Sequence, residues 1–444
     1  MNIMLVDTNI AEFNEFVQIG VDLFMERTIS MIEKEQEIKQ STFAQSFTKW
    51  LPVILGALVA IGPLSIDMYL PALPQLAGEF STTASLVQMS LTACLLGMAV
   101  GQMFAGPFSD VQGRRKPLLA GLVIFSLASI ACAFSTSIWV LLGLRLLQGL
   151  AGSAGIVIAR AIARDLYSGY ALTKFFAMLM LVNGAAPIIA PVLGGQILAL
   201  FSWRVVFITL AVIGFLLMVT VFFLVKESLL EKNRLSGGLK STLKAVNSLV
   251  RQRYFMGHCL MQGCAFSALF AYISGSPFVL QNIYEVSPQV FSLVFSINGI
   301  GLIVAGQLTG RLSGKFSDVR LLEFGVLLAI AGSTALLSGI FFKGNLYMIL
   351  VPLFFTASSL AIVASSSFSL AMQEQGKMAG SAAALIGFFS NITGGIMAPL
   401  VGIAGSHNAV PMGVVIMVSE ICAGLCFWFM IKPANKKVNK VVVE

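Results

Sequence analysis

Charge is scarce in this sequence. Asp, Glu, Lys and Arg together make up 11% of 444 residues, against about 25% in an ordinary soluble domain. Hydrophobic residues make up 57%, and mean hydropathy is +0.90. So few charges cannot clothe that much apolar surface in water, so a soluble globule is excluded and lipid is the main solvent. Histidine is scarcer still: His258 and His407 are the only two, and they lie far apart. No H-E-x-x-H, G-x-S-x-G or G-x-x-x-x-G-K-[ST] pattern occurs. A zinc hydrolase, a serine hydrolase and a self-contained ATP-driven pump therefore lose their usual signatures, and neither an enzyme nor a bound cofactor is expected. No basic patch interleaved with aromatics speaks for nucleic acid.

The six cysteines, Cys94, Cys132, Cys259, Cys264, Cys422 and Cys426, all fall in or beside apolar stretches. Cys422 and Cys426 share a helix face, but no His or acid completes a metal set, so they read as membrane-embedded thiols. What is abundant is glycine, 41 residues, with 14 prolines. Apolar stretches broken this often suit a polytopic helical membrane protein.

A membrane span needs about 20 apolar residues. Runs free of Asp, Glu, Lys and Arg, such as Phe80–Ser109, Phe175–Trp203 and Met378–Ser419, supply most of them. The expected set is twelve helices, near 51–71, 86–106, 117–135, 138–158, 175–197, 204–225, 256–280, 288–310, 322–342, 346–367, 380–401 and 410–431. With the first helix starting inside, the outer loops hold only Arg204 and Lys343, and every other loop base falls inside. The positive-inside rule then puts both termini in the cytoplasm.

The polar stretch 227–253 divides the chain into a six-helix half at 49–226 and another at 254–432. Two parallel six-helix halves are one architecture of secondary transporters. Within the linker, Leu239, Leu243, Val246 and Val250 recur at helical spacing, which predicts an amphipathic helix on the inner membrane surface or against the helix ends. Residues 433–444 form a short cytoplasmic tail. Residues 1–40 carry eight acids and three bases, a balance of −5 that leaves +13 on the rest. No basic start precedes an apolar core, so 1–48 is expected to be a cytoplasmic tail rather than a signal peptide, with initiation at Met25 or Met31 as another reading.

Four segments carry chemistry. Gly106-Pro-Phe-Ser-Asp110-Val-Gln-Gly113-Arg114-Arg115-Lys116 follows the second helix as a loop, where glycines permit a sharp turn and Asp110 can pair with the bases or cap the next helix. Asp67 lies in Ser65-Ile-Asp67-Met-Tyr69-Leu-Pro71, inside the first span. A charge at mid-membrane costs about 2.5–3.5 kcal/mol on insertion scales, so this carboxyl has to face a cavity, find a partner or carry a proton. Arg145 lies inside the fourth span, in register with Gln148, Gly149 and Gly152, and at a depth similar to that of Asp67. Pro187 and Pro191 interrupt fifth-helix hydrogen bonding, and Gly194 and Gly195 permit close packing.

These segments resemble the major facilitator superfamily. The G-x-x-x-D-x-x-G-R-R loop, Gly106, Asp110, Gly113, Arg114 and Arg115, is similar to its signature loop, with Val111 where a base is usual and Gly310 where the second half would repeat the Asp. Ser65–Pro74 looks like the first-helix signature of the Bcr/CflA bicyclomycin-resistance subfamily of drug:proton antiporters. Leu144-Arg145-Leu-Leu-Gln148-Gly149 resembles the fourth-helix motif of proton-coupled members. Ala186-Pro187-Ile-Ile-Ala190-Pro191-Val-Leu-Gly194-Gly195 resembles the fifth-helix antiporter motif. Ser274–Gln281 and Gly380–Ala384 look like the same subfamily.

The resemblance implies an all-α fold of two pseudo-symmetric six-helix halves in a bacterial cell membrane. It implies exchange of protons for small amphipathic drugs by alternating access, in a protein working as a monomer. Asp67 is then the proton carrier, with Arg145 tuning its charge. Glu420, mid-way along the twelfth helix, reads equally as a packed group or a second proton site. Tyr69, Asn183, Gln262, Phe266, Tyr272, Asn298 and Asn391 are candidates for the substrate cavity, although each polar one could simply bond a neighbouring helix. An exporter of a metabolite such as an amino acid or sugar, and a membrane receptor or scaffold, are the rival readings.

Overall fold

Within lipid a backbone must satisfy its own hydrogen bonds, so long charge-free runs become helices. The computed structural model describes residues 50–167, 169–229, 248–313, 315–373, 375 and 379–433, except the side chains of 169–174, 176–178, 180–181, 183, 379–381 and 384. Among the described residues there are twelve long helical segments and no strands. They are α1 (Leu51–Glu79), α2 (Ala84–Gln112), α3 (Arg115–Ala133), α4 (Ile138–Leu166), α5 (Gly169–Leu200), α6 (Arg204–Leu224), α7 (Arg253–Ile283), α8 (Pro288–Leu312), α9 (Asp318–Phe341), α10 (Leu346–Gln373), α11 (Ala379–Met397, continued by a 3-10 segment Ala398–Gly402) and α12 (Val410–Ile431). Eleven of these segments are long and apolar enough to cross a membrane, and in α5 the described apolar stretch is Gly184–Leu200.

The packing repeats. In the first six helices α2 lies against α4 and α3 against α4 and α6; in the last six, α8 lies against α10 and α9 against α10 and α12. The two sets meet where α2 touches α11 and where α5 touches α8. Side-chain bonds fix the two ends of the bundle. Arg114, Asp165 and Glu227 join the α2–α3 connection, the last turn of α4 and the α6–α7 connection at a base-rich end. At the opposite, base-poor end Glu79 bonds Trp203 and Arg204, tying the α1–α2 connection to that between α5 and α6.

Several boundaries differ from the sequence expectation. The stretch Gly106–Gln112 is the end of α2, not a loop; the turn is confined to Gly113, whose φ of 89° only glycine adopts freely. α4 runs to Leu166, so Arg160 and Arg164 are helical, because extended side chains at an inner helix end reach water without ending the helix. α1 does not stop near residue 71. Its regular part ends at Asp67, a 3-10 segment follows at Leu70–Ala72, and helix resumes over Leu73–Glu79. Pro187 and Pro191 both sit inside α5, which continues as one helix from Gly169 to Leu200. In the linker, residues 230–247 lie outside the described set, as do 1–49 and 434–444. At its far end Leu249 is buried and Val250 exposed. The apolar face there is one residue out of register with the expected one, because Leu249 packs onto Phe255, Cys259 and Ala371.

Candidate functional site

Asp67 sits where α1 loses regular helix, and it is 5% exposed. Its carboxyl makes no hydrogen bond or ion pair among the described residues. The Tyr272 hydroxyl, on α7, lies within its electrostatic reach. Tyr272 accepts a bond from Asn298 Nδ2 at 2.8 Å and stacks on Phe295, with ring centroids 5.4 Å apart. A carboxyl of the first six helices thus lies within electrostatic reach of a hydroxyl of the last six.

Arg145 is elsewhere. It is fully buried, and Nη1 donates to Ser65 O at 2.9 Å and to Gln148 Oε1 at 2.6 Å. Gln148 Nε2 passes the chain on to Ser129 Oγ at 2.7 Å. The guanidinium lies over the rings of Tyr69 and Phe207, at 5.0 and 5.6 Å, a geometry that attracts a cation to the π face. Nε and Nη2 have no partner among the described residues. Because α1 loses regular helix just after Asp67, the Ser65 carbonyl lacks the N–H that a continuing helix would offer it, and Arg145 supplies a donor instead. Arg145 therefore holds the backbone two residues before Asp67 rather than pairing with its carboxylate.

Tyr69, expected in a cavity, is sealed among the first six helices, its hydroxyl 2.9 Å from Ser90 Oγ. Asn298 and Tyr272 come together as described. Gln262 on α7 is 6% exposed with Oε1 unpartnered among the described residues. Phe266, one turn along, is half-buried and packs near Phe270. Asn391 on α11 is half-buried, and the side chain of Asn183 lies outside the described set. Glu420 is 2% exposed inside α12. The six cysteines are free thiols.

The base-rich end is a charge cluster. Arg114 Nε donates to Asp165 Oδ2 at 2.9 Å, and Nη1 to Asp110 Oδ1 at 2.5 Å and Ser109 Oγ at 2.7 Å. Burial opposes the Arg114 charge, but Asp165 and Asp110 outweigh it and hold the guanidinium above its ordinary range. Asp110 therefore pairs with the base cluster instead of capping α3. The cap is Glu227, whose carboxylate accepts from Arg114 N at 2.7 Å and Arg115 N at 3.1 Å. Anions suit a helix N-terminus because its first amides point outward. Sequence reasoning passed over Glu227 and Asp165; each is an acid at the inner end of a span otherwise flanked by bases, and that contrast was the available signal.

The base-poor end is shut by bonds between the two sets of helices. Ser85 Oγ donates to Pro399 O at 2.8 Å, Gln88 Nε2 to Ser274 O at 3.0 Å, and Thr92 Oγ1 to Gly395 O at 2.6 Å. Gln281 Nε2 donates to Pro71 O at 3.2 Å and Ser296 Oγ to Ile188 O at 2.7 Å. Gly195 lies so close to α8 that an added Cβ would sit 2.5 Å from Ser292 Oγ.

Twelve helices in two repeating sets, with a buried carboxyl in α1 and a buried arginine within the first set, are the frame of a polytopic membrane transporter. Residues 55–399 match the Major Facilitator Superfamily, and the chain belongs to it. It is 43% identical over 384 residues to an uncharacterized MFS-type transporter, YdgK, of Bacillus subtilis, covering 86% of this chain and 95% of that protein. It is 29% identical to a bicyclomycin resistance protein homolog of Haemophilus influenzae, covering 85% of this chain and 94% of that one. Multidrug resistance protein D of Escherichia coli is 27% identical, with 85% and 94% covered. These relatives support the Bcr/CflA-like subfamily. Among solved structures, a D-xylose–proton symporter superposes with a TM-score of 0.69 at 15% identity, covering 86% of this chain and 97% of that one, which speaks for the fold alone.

Proposed function

We propose that the chain exports small amphipathic compounds in exchange for protons, as a monomer in a bacterial cell membrane with both termini cytoplasmic. The observation that carries this reading is Asp67: a buried carboxyl inside a span, without a cationic partner among the described residues, within electrostatic reach of Tyr272 of the opposite set of helices. An ionisable group inside a span and near the junction of the two sets is a proton-site candidate, because its charge is costly there and acts on the parts that must open and close. Arg145 keeps α1 in place beneath it through Ser65 O.

The positive-inside rule assigns the base-rich end to the cytoplasm. The closed base-poor end then faces outward, and the molecule is directed inward. A proton entering through 100 mV supplies about 2.3 kcal/mol, enough for roughly a 50-fold gradient of a neutral solute. Names of relatives that refer to bicyclomycin and multidrug resistance support a drug-like cargo.

The test is proton release from acidified inverted vesicles on addition of a compound panel. Asp67→Asn keeps shape and removes titration, so the protein should insert and bind ligand while pH-driven export collapses. Asp67→Glu should retain partial activity, and Glu420→Gln is the control: little effect where Glu420 is merely packed, a loss like that of Asp67→Asn where it is a second proton site. Full proton-coupled export by Asp67→Asn would overturn the assignment.

A further inference from the structure

We propose that Ser85, Gln88 and Thr92, one stripe of α2, are positioning residues that latch the outer gate, and that Gly402 is what lets the latch engage. The inference rests on the alternating-access reading above and names the groups that set its equilibrium.

The stripe is spaced three and four residues apart, so all three side chains leave α2 on one face. Each donates to a main-chain carbonyl of the opposite helices, at 2.6 to 3.0 Å. One of those carbonyls is available for a reason written in the sequence. Pro399 has no N–H, so the carbonyl of Gly395, four residues earlier, loses its helical partner, and Thr92 Oγ1 replaces it. Pro399 itself lies in the 3-10 segment Ala398–Gly402, where its carbonyl takes the Ser85 hydroxyl as an added donor. Ser274 Oγ reinforces the same segment by donating to Ala398 O at 3.1 Å.

The approach is close enough to need glycine. A Cβ on Gly402 would stand 2.6 Å from Ser85 N and 2.5 Å from Gln88 Oε1. The first contact is with backbone and cannot be relieved by a rotamer change, so α2 would have to withdraw. The latch is also incomplete. Gln88 is 1% exposed, with Nε2 bonded and Oε1 without a partner among the described residues. A buried acceptor left unmet costs free energy, and opening returns it to water. Three donor bonds hold the gate shut while this one group favours release, which suits a gate that must open in every cycle.

The test places spin-label pairs in a chain whose six native cysteines are replaced. Ser202 with His407 reports the outer end, and Gln112 with Ser317 the inner end. A net hydrogen bond amounts to about a five-fold change in an equilibrium. Thr92→Val and Ser85→Ala should each raise the open-to-closed ratio at the outer pair about five-fold, with the inner pair closing in step. Gly402→Ala should abolish the short outer distance. Gln88→Leu removes a donor and the unmet acceptor together, so its shift should be smaller than that of Thr92→Val. Simple loss of packing would lower thermal stability without this reciprocal exchange of distances. Unchanged distributions in Thr92→Val and Gly402→Ala, or a Gln88→Leu shift larger than that of Thr92→Val, would overturn the proposal. The readout uses neither substrate nor proton gradient, so failure of the drug-export reading would leave it standing.

Discussion

Arg114 allows a worked perturbation, because its partners sit at different depths. Its side chain is 8% exposed, that of Asp165 17% and that of Asp110 34%. The Asp165 bonds are largely sheltered, and a hydrogen bond to a charged group in such a place contributes about 1.5–3 kcal/mol. The Asp110 pair is open to solvent and is discounted to about 0.5 kcal/mol. Since the folded-state value of Arg114 lies above its unfolded one, its contribution is complete at any pH below the ordinary arginine range and lost only above it. No working pH discharges it, so substitution is the useful lever. A double-mutant cycle between Arg114→Ala and Asp165→Asn, read by chemical unfolding in mixed micelles, should give a coupling of about 2 kcal/mol, roughly 30-fold in the unfolding equilibrium. The parallel cycle with Asp110→Asn should give less than about 1 kcal/mol. Arg114→Lys keeps the charge but cannot reach both carboxylates at once, so it should recover only part of the loss. An Asp165 coupling below about 0.5 kcal/mol, or an Asp110 coupling exceeding it, would refute the depth argument.

Two further outcomes are expected. Added Cβ atoms at Gly97 and Gly149 would strike the backbone carbonyls of Leu146 and Cys94, so Gly97→Ala and Gly149→Ala should each cost about 1–3 kcal/mol by overpacking; the control Gly143→Ala, with open space beside it, should show no loss in the yield of folded protein, and equal losses at all three positions would contradict the close-packing account. In a cysteine-replaced chain, His407→Cys should react with an impermeant thiol reagent added to intact cells while Ser317→Cys stays protected, and the reverse pattern would invert the sidedness assigned to both ends.

Much of the fold was legible because lipid imposes a simple rule. A run without charge must be helical and about a membrane thick, and Glu227–Arg253 is the one long polar interruption. Helix ends were less legible. Gly106 and Pro107 read as turn residues, yet α2 continues to Gln112, since a proline in a tightly packed membrane helix is tolerated when neighbours satisfy the freed groups. The break after Asp67 was equally hidden: Pro71 and Pro74 mark it, but only packing of Gly194 onto the Met68 carbonyl shows where α1 must yield.

The site was legible residue by residue but not in its pairings. Asp67 and Arg145 stand out in sequence because each is a charge inside a span, and similar depth suggested that they meet. Depth fixes one coordinate of three. The azimuth of each side chain depends on neighbours: Tyr69 and Phe207 draw Arg145 into the first six helices, while Asp67 stays apart from it, within electrostatic reach of Tyr272. Uncharged groups carry no such flag. Ser85, Gln88 and Thr92 are ordinary polar residues of one helix until Pro399 and Gly402, more than three hundred positions away, supply a bare carbonyl and the room to reach it. A charge in a membrane declares itself by its cost; a donor declares itself only when its acceptor is in view. That difference explains why the proton-carrying candidate could be named from sequence, while the latch at the base-poor end could not.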